Sequence, residues 1–532
     1  MDDLLRKYKT FFIVLGVTLG VLALWQLSYV VTAMQATGDS FLLRDYGMLA
    51  LGLVMLALLV AIVLLCLRDK YPVIAVWAVA FTLLVVADMR VFPGLSAPDE
   101  QAHYISAYYL SDQLMFQQAD NELGRVVIRE TDKALEDVSD ENDAFLAGEI
   151  PMTEILGHEM REKTYRDIHN WDAEHPKKDG MTVSNLVRVE TTPLAYLPQA
   201  IGITLARLLH LNSLKLIAFG KIGNLIAFLL MVIWAVRRTP RGKNLMMAST
   251  LLPMTIHLAG SMSYDVMIIG CAYMFLAEIL YVAYAAQELT WKDIIFLTVI
   301  LAVMSPCKMV YGILILLLLL IPKEKAGRKL LPLWLLCGAA VVIPVLLVNL
   351  RTIGTYTAAT TNNLVWAGEQ GFTMSYCLHH PLQVMQMVYE SVLQQGEYYY
   401  SSMLGGYLGN GDAALTVPFL ILAALTVGLI LLAFAEKESI SIRDRIIIGI
   451  TFILLFGLLL GSMLVGWTPL SSPVILGVQG RYFLPMLPVL LLLIPNRMIK
   501  PEKDPTYVIL SLMVACDAFA LFRLYSVICL QV

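Results

Sequence analysis

About thirteen apolar runs, most of them near the roughly 20 residues that cross a bilayer, leave this chain few ways to fold. They lie near 11–33, 46–67, 73–92, 213–236, 245–261, 264–286, 290–305, 309–321, 331–349, 414–435, 444–466, 481–496 and 505–527. Hydrocarbon offers no partner to a backbone N–H or C=O, so such runs are expected to be helices that satisfy their own hydrogen bonds. Hydrophobic residues make up 58% of 532 and charged residues 15%, with a mean hydropathy of +0.71. The expected class is an all-α polytopic membrane protein, a multi-span helical bundle of about 13 transmembrane helices. A net charge of -4, with basic residues scattered in short clusters, gives no footprint for nucleic acid.

Those clusters orient the bundle. Arg6, Lys7 and Lys9; Arg68 and Lys70; Arg237, Arg238, Arg241 and Lys243; Lys323, Lys325, Arg328 and Lys329; Arg443 and Arg445; and Arg497, Lys500 and Lys503 all fall on one side, the cytoplasmic one. That holds only if Pro193 to His210, with its prolines and short apolar stretch, is an interfacial or half-inserted helix on the outer face. Three outer segments follow: 94–212, a large and partly helical loop, 350–413 and 467–480. The expected organisation is two extra N-terminal helices (1–72), a membrane core (73–496) and a last helix (497–532). The apolar run after MDDLLRKYKT is too long for a signal peptide and reads as a retained first helix. Six cysteines sit in or beside apolar runs, Cys377 stands in a loop, and no CxxC pair or disulfide framework is present.

Chemistry is expected where polar groups meet the outer ends of spans. In VFPGLSAPDEQAHY, Asp99, Glu100 and His103 stand where a helix meets water. Adjacent carboxylates at a low-dielectric boundary repel each other, which favours a usable general base. An acidic helix cap accounts for the same residues equally well. SMSYD sets Tyr264 and Asp265 at a span junction, SPCKMVYG sets Lys308 beside Pro306, and GVQGRYFLP sets Gln479, Arg481 and Tyr482 before another span. Lys308 and Arg481 suit a phosphate or diphosphate, Arg481 by its bidentate fork. Ion pairing, Asp265 with Lys308 for example, is the structural alternative. His158, His169 and His175 stand among Glu159, Asp167, Asp172 and Glu174, but HEMRE is not HExxH, so a divalent metal is possible without being indicated. The acidic stretch Asp132 to Glu162 reads as a solvated cap.

PDEQAH, SYD, CKMVYG, GYLGNGDAALTVP and GVQGRYFLPMLP resemble the membrane proteins of domain-of-unknown-function family 2142, from about Phe92 to Pro495. That family in turn resembles the glycosyltransferase-C superfamily, whose multi-span members carry an acidic pair in the first outer loop of the core. The resemblance implies transfer of a sugar from a polyprenyl-phosphate donor to a cell-envelope glycan or teichoic-acid-like acceptor, outside a bacterial cytoplasmic membrane. Asp99 falls on the superfamily's base, with Glu100 and His103 beside it. Tyr264, Asp265, Lys308, Gln479, Arg481 and Tyr482 are expected to bind substrate. A transporter or flippase of lipid-linked glycans, or a non-catalytic assembly partner, would carry similar charges; gathering of the polar groups at one face and the lack of related halves favour the enzyme.

Overall fold

A computed structural model describes all residues except 1, 137–154, 190, 359–361, 365, 411–414, 437–438, 495–503 and 532. Most of the acidic stretch, part of the GYLGNGDAALTVP element and the 496/497 boundary lie outside the described residues. The described residues are all-α apart from two antiparallel pairs of three-residue strands, Val127–Arg129 with Met181–Val183 and Asn362–Leu364 with Glu369–Gly371.

Among the described residues eight helices are long and apolar enough to cross a membrane: Leu4–Thr37, Phe41–Cys66, Val73–Val91, Ser213–Arg238, Asp265–Tyr284, Lys323–Leu350, Ile442–Trp467 and Thr506–Leu530. The other five runs form shorter or divided elements among the described residues. The run 245–261 divides at Pro253 into Lys243–Thr250 and Pro253–Ala259, because proline lacks the N–H that would continue the ladder. The run 290–305 is the 14-residue helix Trp291–Met304, and 309–321 winds as a 3-10 helix, Met309–Leu320. The run 414–435 shortens to Phe419–Ala435, and 481–496 becomes the tight turns Gly480–Met486 and Leu487–Leu491, interrupted by Pro485 and Pro488. Apolar content drives burial; hydrogen-bond geometry and proline decide how far an element reaches.

Pro193 to His210 forms a short 3-10 turn, Pro193–Tyr196, and a 12-residue helix, Leu197–Leu208. At about 18 Å this helix is too short to cross the roughly 30 Å hydrocarbon core. It packs along Ser213–Arg238 and against Glu100–Leu114.

Asp265–Tyr284 is the most enclosed long helix, with 83% of its apolar window buried. The first two helices and the last pack against one another at one side. There Tyr46 donates to the Ala23 carbonyl at 2.6 Å and meets Tyr525 ring to ring.

Candidate functional site

A local backbone choice starts the site. Asp99 has φ +57° and ψ +17°, a left-handed conformation that Asp tolerates better than most residues, and it stands at the N-terminus of Glu100–Leu114. Its side chain makes no capping hydrogen bond to that helix. It turns away to accept from Arg481 Nη2 at 2.7 Å, across 382 residues of sequence. Arg481 Nε lies 3.2 Å from Asp265 Oδ2, while Asp265 Oδ1 accepts from Lys308 Nζ at 2.8 Å. Four charges from four distant segments thus form a chain, Asp99–Arg481–Asp265–Lys308. Two carboxylates and two cations balance, as a boundary with low-dielectric surroundings demands.

Exposure separates their roles. The Arg481 side chain is 3% exposed and Asp265 8%, whereas Asp99 is 60% exposed and Lys308 21%. Asp99 therefore faces the open side and Lys308 is half-buried beside it, with Arg481 and Asp265 tying them together underneath. Lys308 lies 3.9 Å above the Tyr482 ring and 5.4 Å from that of Tyr264, so cation–π attraction helps hold the ammonium. Gly480 makes the approach possible: a Cβ there would collide with the backbone of Tyr399 and Met403 in the helix Pro381–Leu404, keeping Arg481 out of its place.

Glu100, the neighbour of Asp99, points the opposite way. It is fully buried, accepts from the backbone N–H of Ala97 at 2.9 Å and of Met262 at 2.8 Å, and lies 3.3 Å from Lys221 Nζ. Lys221 also donates to the Phe92 and Gly94 carbonyls. Glu100 fastens the PDEQAH turn to the span Ser213–Arg238 and to the connection before Asp265–Tyr284, and has no open face for a substrate.

His103 is buried behind the charges, its Nδ1 2.7 Å from the Tyr196 hydroxyl and its ring edge-on to Tyr264. Burial, only partly offset by Asp265 and Asp99, pulls this imidazole down to about 4. It supports Tyr264 and Tyr196 and does not line the open side. Gln479 is half-buried at the start of Gly480–Met486, its carbonyl accepting from the Tyr482 N–H.

The expected site residues Asp99, His103, Tyr264, Asp265, Lys308, Arg481 and Tyr482 thus converge, and Glu100 belongs to a separate tie. Sequence reasoning missed His158 as part of this neighbourhood. Gly157, at φ +78°, and Gly94 bring two backbones into contact so close that a Cβ on either would collide. His158 is thereby turned toward Asn410 Nδ2, 2.9 Å away, and within electrostatic reach of Asp99; burial lowers it from the ordinary histidine range. The signal was the glycine beside the histidine. Lys221 was also missed, though a lone lysine in LIAFGKIGNLIAF calls for a buried partner. The other histidines disperse: His169 stacks on Phe41 and His175 on Trp171. Among the described residues no group of three or more His, Cys, Asp or Glu could hold a metal ion.

The family profile described as Predicted membrane protein (DUF2142) matches residues 81–490, most of the chain. The chain belongs to this DUF2142 family. No curated protein and no solved structure matches it. All four charges lie inside the stretch matched by the DUF2142 profile. The helices Asp2–Thr37, Phe41–Cys66 and Thr506–Leu530 lie outside it, and these are the three that pack together at one side.

Proposed function

We propose that this DUF2142 member is a membrane glycosyltransferase that moves a sugar from a polyprenyl-phosphate donor to a hydroxyl of a cell-envelope acceptor, glycan or teichoic-acid-like, on the outer face of a bacterial cytoplasmic membrane. The observation that carries the reading is the pairing of an exposed carboxylate, Asp99, with a half-buried lysine, Lys308, over a buried Arg481–Asp265 tie. The acceptor hydroxyl lies against Asp99, which takes its proton as the oxygen attacks the anomeric carbon. The carbon–oxygen bond to phosphate breaks on the opposite side, and polyprenyl phosphate leaves with inversion. Lys308, the cation with open surface, neutralises the phosphate, and this electrostatic contribution matters most because the leaving group departs as an anion. Arg481, sealed beneath, fixes the position of Asp99. No step requires a metal.

A transporter or flippase of lipid-linked glycans is the second reading. What favours it is the set of ionisable side chains Asp88, His257 and Asp517, buried away from the Asp99 cluster.

Transfer of labelled sugar from polyprenyl phosphate, measured with purified protein and its Lys308→Ala variant, separates the readings. Transfer that falls at least tenfold in Lys308→Ala supports the enzyme. Absence of transfer from every lipid-linked donor offered to the parent, with donor movement across vesicles retained, overturns it in favour of the transporter.

A further inference from the structure

Away from the Asp99 cluster, a gap with room for about one water molecule lies between Val73–Val91, Pro253–Ala259 and Thr506–Leu530. Its walls are Pro253, Ile256, Leu408, Ala520, Leu521 and Leu524, with two polar side chains, Asp88 and Asp517. Asp517 stands midway along its helix, is 1% exposed, and has no hydrogen-bond partner on either carboxyl oxygen. Asp88 is equally buried, but His257 Nδ1 lies 3.2 Å from its Oδ2. The Gly409 N–H donates to His257 Nε2 at 3.3 Å. A backbone amide can only donate, so Nε2 is the bare nitrogen and Nδ1 carries the hydrogen that Asp88 accepts. Asp88 is thus held as the acceptor in this pair, while Asp517 is left facing it with nothing to satisfy it.

The nearby cations are engaged elsewhere. Arg90 pairs with Asp45, Arg523 donates to the Thr416 carbonyl, and neither lines the gap. A carboxylate left in apolar surroundings without a counter-charge is strongly disfavoured, and two facing one gap more so. A metal cation would need more oxygen ligands than two carboxyls among aliphatic side chains supply.

We infer that Asp88 and Asp517 form a proton-binding site in the membrane interior, in which Asp517 carries a hydrogen and shares it with Asp88 through a single water. The only bond made or broken is O–H, with solvent as the proton source. A water in the gap then has the two or more polar partners it needs. Asp88 belongs to the family-matched stretch and Asp517 to the last helix outside it, so the site joins that helix to the core. It is independent of the reaction proposed for Asp99.

Infrared difference spectra of the purified protein at neutral pH, parent minus Asp517→Asn, in H2O and D2O, test it. The expected result is a protonated-carboxyl stretch in the parent that shifts in D2O, is missing from Asp517→Asn, and moves without vanishing in Asp88→Asn, where the acceptor of its hydrogen has changed. Asp517→Leu, which fills the gap with an apolar group, should lose the same band with the fold kept, and serves if the Asn variant misfolds. A carboxylate signature for Asp517 in the parent, in sodium or in choline buffer, would overturn the inference. So would a protonated band that is unchanged when Asp517 is replaced.

Discussion

The two ends of the helix Asp265–Tyr284 repeat one arrangement with opposite exposure. Near its C-terminal end Arg238 lies between Glu278 of this helix, at 2.6 and 2.8 Å, and Asp293 of the next, at 3.3 Å. At its N-terminal end Arg481 lies between Asp265 of the same helix and Asp99 of the loop that follows Val73–Val91. About 20 Å of helix separates Asp265 from Glu278. At the first, both carboxylates are sealed, at 2% and 7% exposure, and the arginine is 30% exposed. At the second the arginine is sealed and Asp99 is open. Lys325 completes the closed end by donating to the Val282, Ala283 and Ala286 carbonyls, a helix C-terminus satisfied by a cation. The exposure of Asp99 is what distinguishes the two ends.

The largest effect that can break this comparison is at the sealed arginine. Arg481→Ala leaves the buried Asp265 with one cation and Asp99 with none, and should lower stability by about 3–5 kcal/mol, read from thermal unfolding in detergent. Arg481→Lys keeps the charge but cannot fork between two carboxylates; it should recover most of the stability while transfer stays impaired. Equal transfer in the Lys variant and the parent would make Arg481 a simple counter-ion. Arg238→Ala removes an arginine that is itself 30% exposed but strands the sealed Glu278 and Asp293, so it should cost a comparable amount, about 3–5 kcal/mol, and leave transfer per folded molecule unchanged.

Burial of His103 gives the comparison a pH dependence. Its folded value lies near 4, below the 6.5 of an unperturbed histidine, so between these values the unfolded chain binds a proton that the folded one excludes. Stability from this group is complete above about 6.5 and declines as pH falls toward about 4. In His103→Gln the slope of thermal midpoint against pH over that window should be shallower than in the parent. Glu100→Gln should cost about 1–3 kcal/mol, because the amide retains one acceptor for the two backbone donors but leaves Lys221 without its counter-charge, and the smallest stability change is expected of Asp99→Asn at the exposed position.

Much of the fold was legible because hydrocarbon imposes one rule, that long apolar runs become helices, and the eight full-length spans all coincide with runs read from the sequence. The Leu-rich stretch 309–321 was legible as buried and not as a 3-10 helix, since hydropathy carries no information on hydrogen-bond register. Charges at span ends were legible for the same reason as the spans: Asp99, Asp265, Lys308 and Arg481 stand where lipid should exclude them. Which charge meets which was not, because Asp99 and Arg481 are 382 residues apart and their contact depends on a glycine, Gly480, that lets two backbones touch. Nor could adjacency in sequence reveal that Asp99 and Glu100 part company, one to the open side and one into the core. That difference arises from the left-handed turn at Asp99, which swings consecutive side chains to opposite surroundings.

The most direct measurement is therefore a crossed comparison of Asp99→Asn and Glu100→Gln, each assayed for sugar transfer from polyprenyl phosphate and for thermal midpoint. Loss of a positioned base costs about 100- to 10,000-fold in rate. Asp99→Asn should fall by that amount with a midpoint close to the parent's, while Glu100→Gln should lower the midpoint and keep transfer within several-fold of the parent once corrected for folded protein. Parent-like transfer by folded Asp99→Asn, or abolished transfer in Glu100→Gln at an unchanged midpoint, would contradict the assignment of the open carboxylate to chemistry and the buried one to the fold.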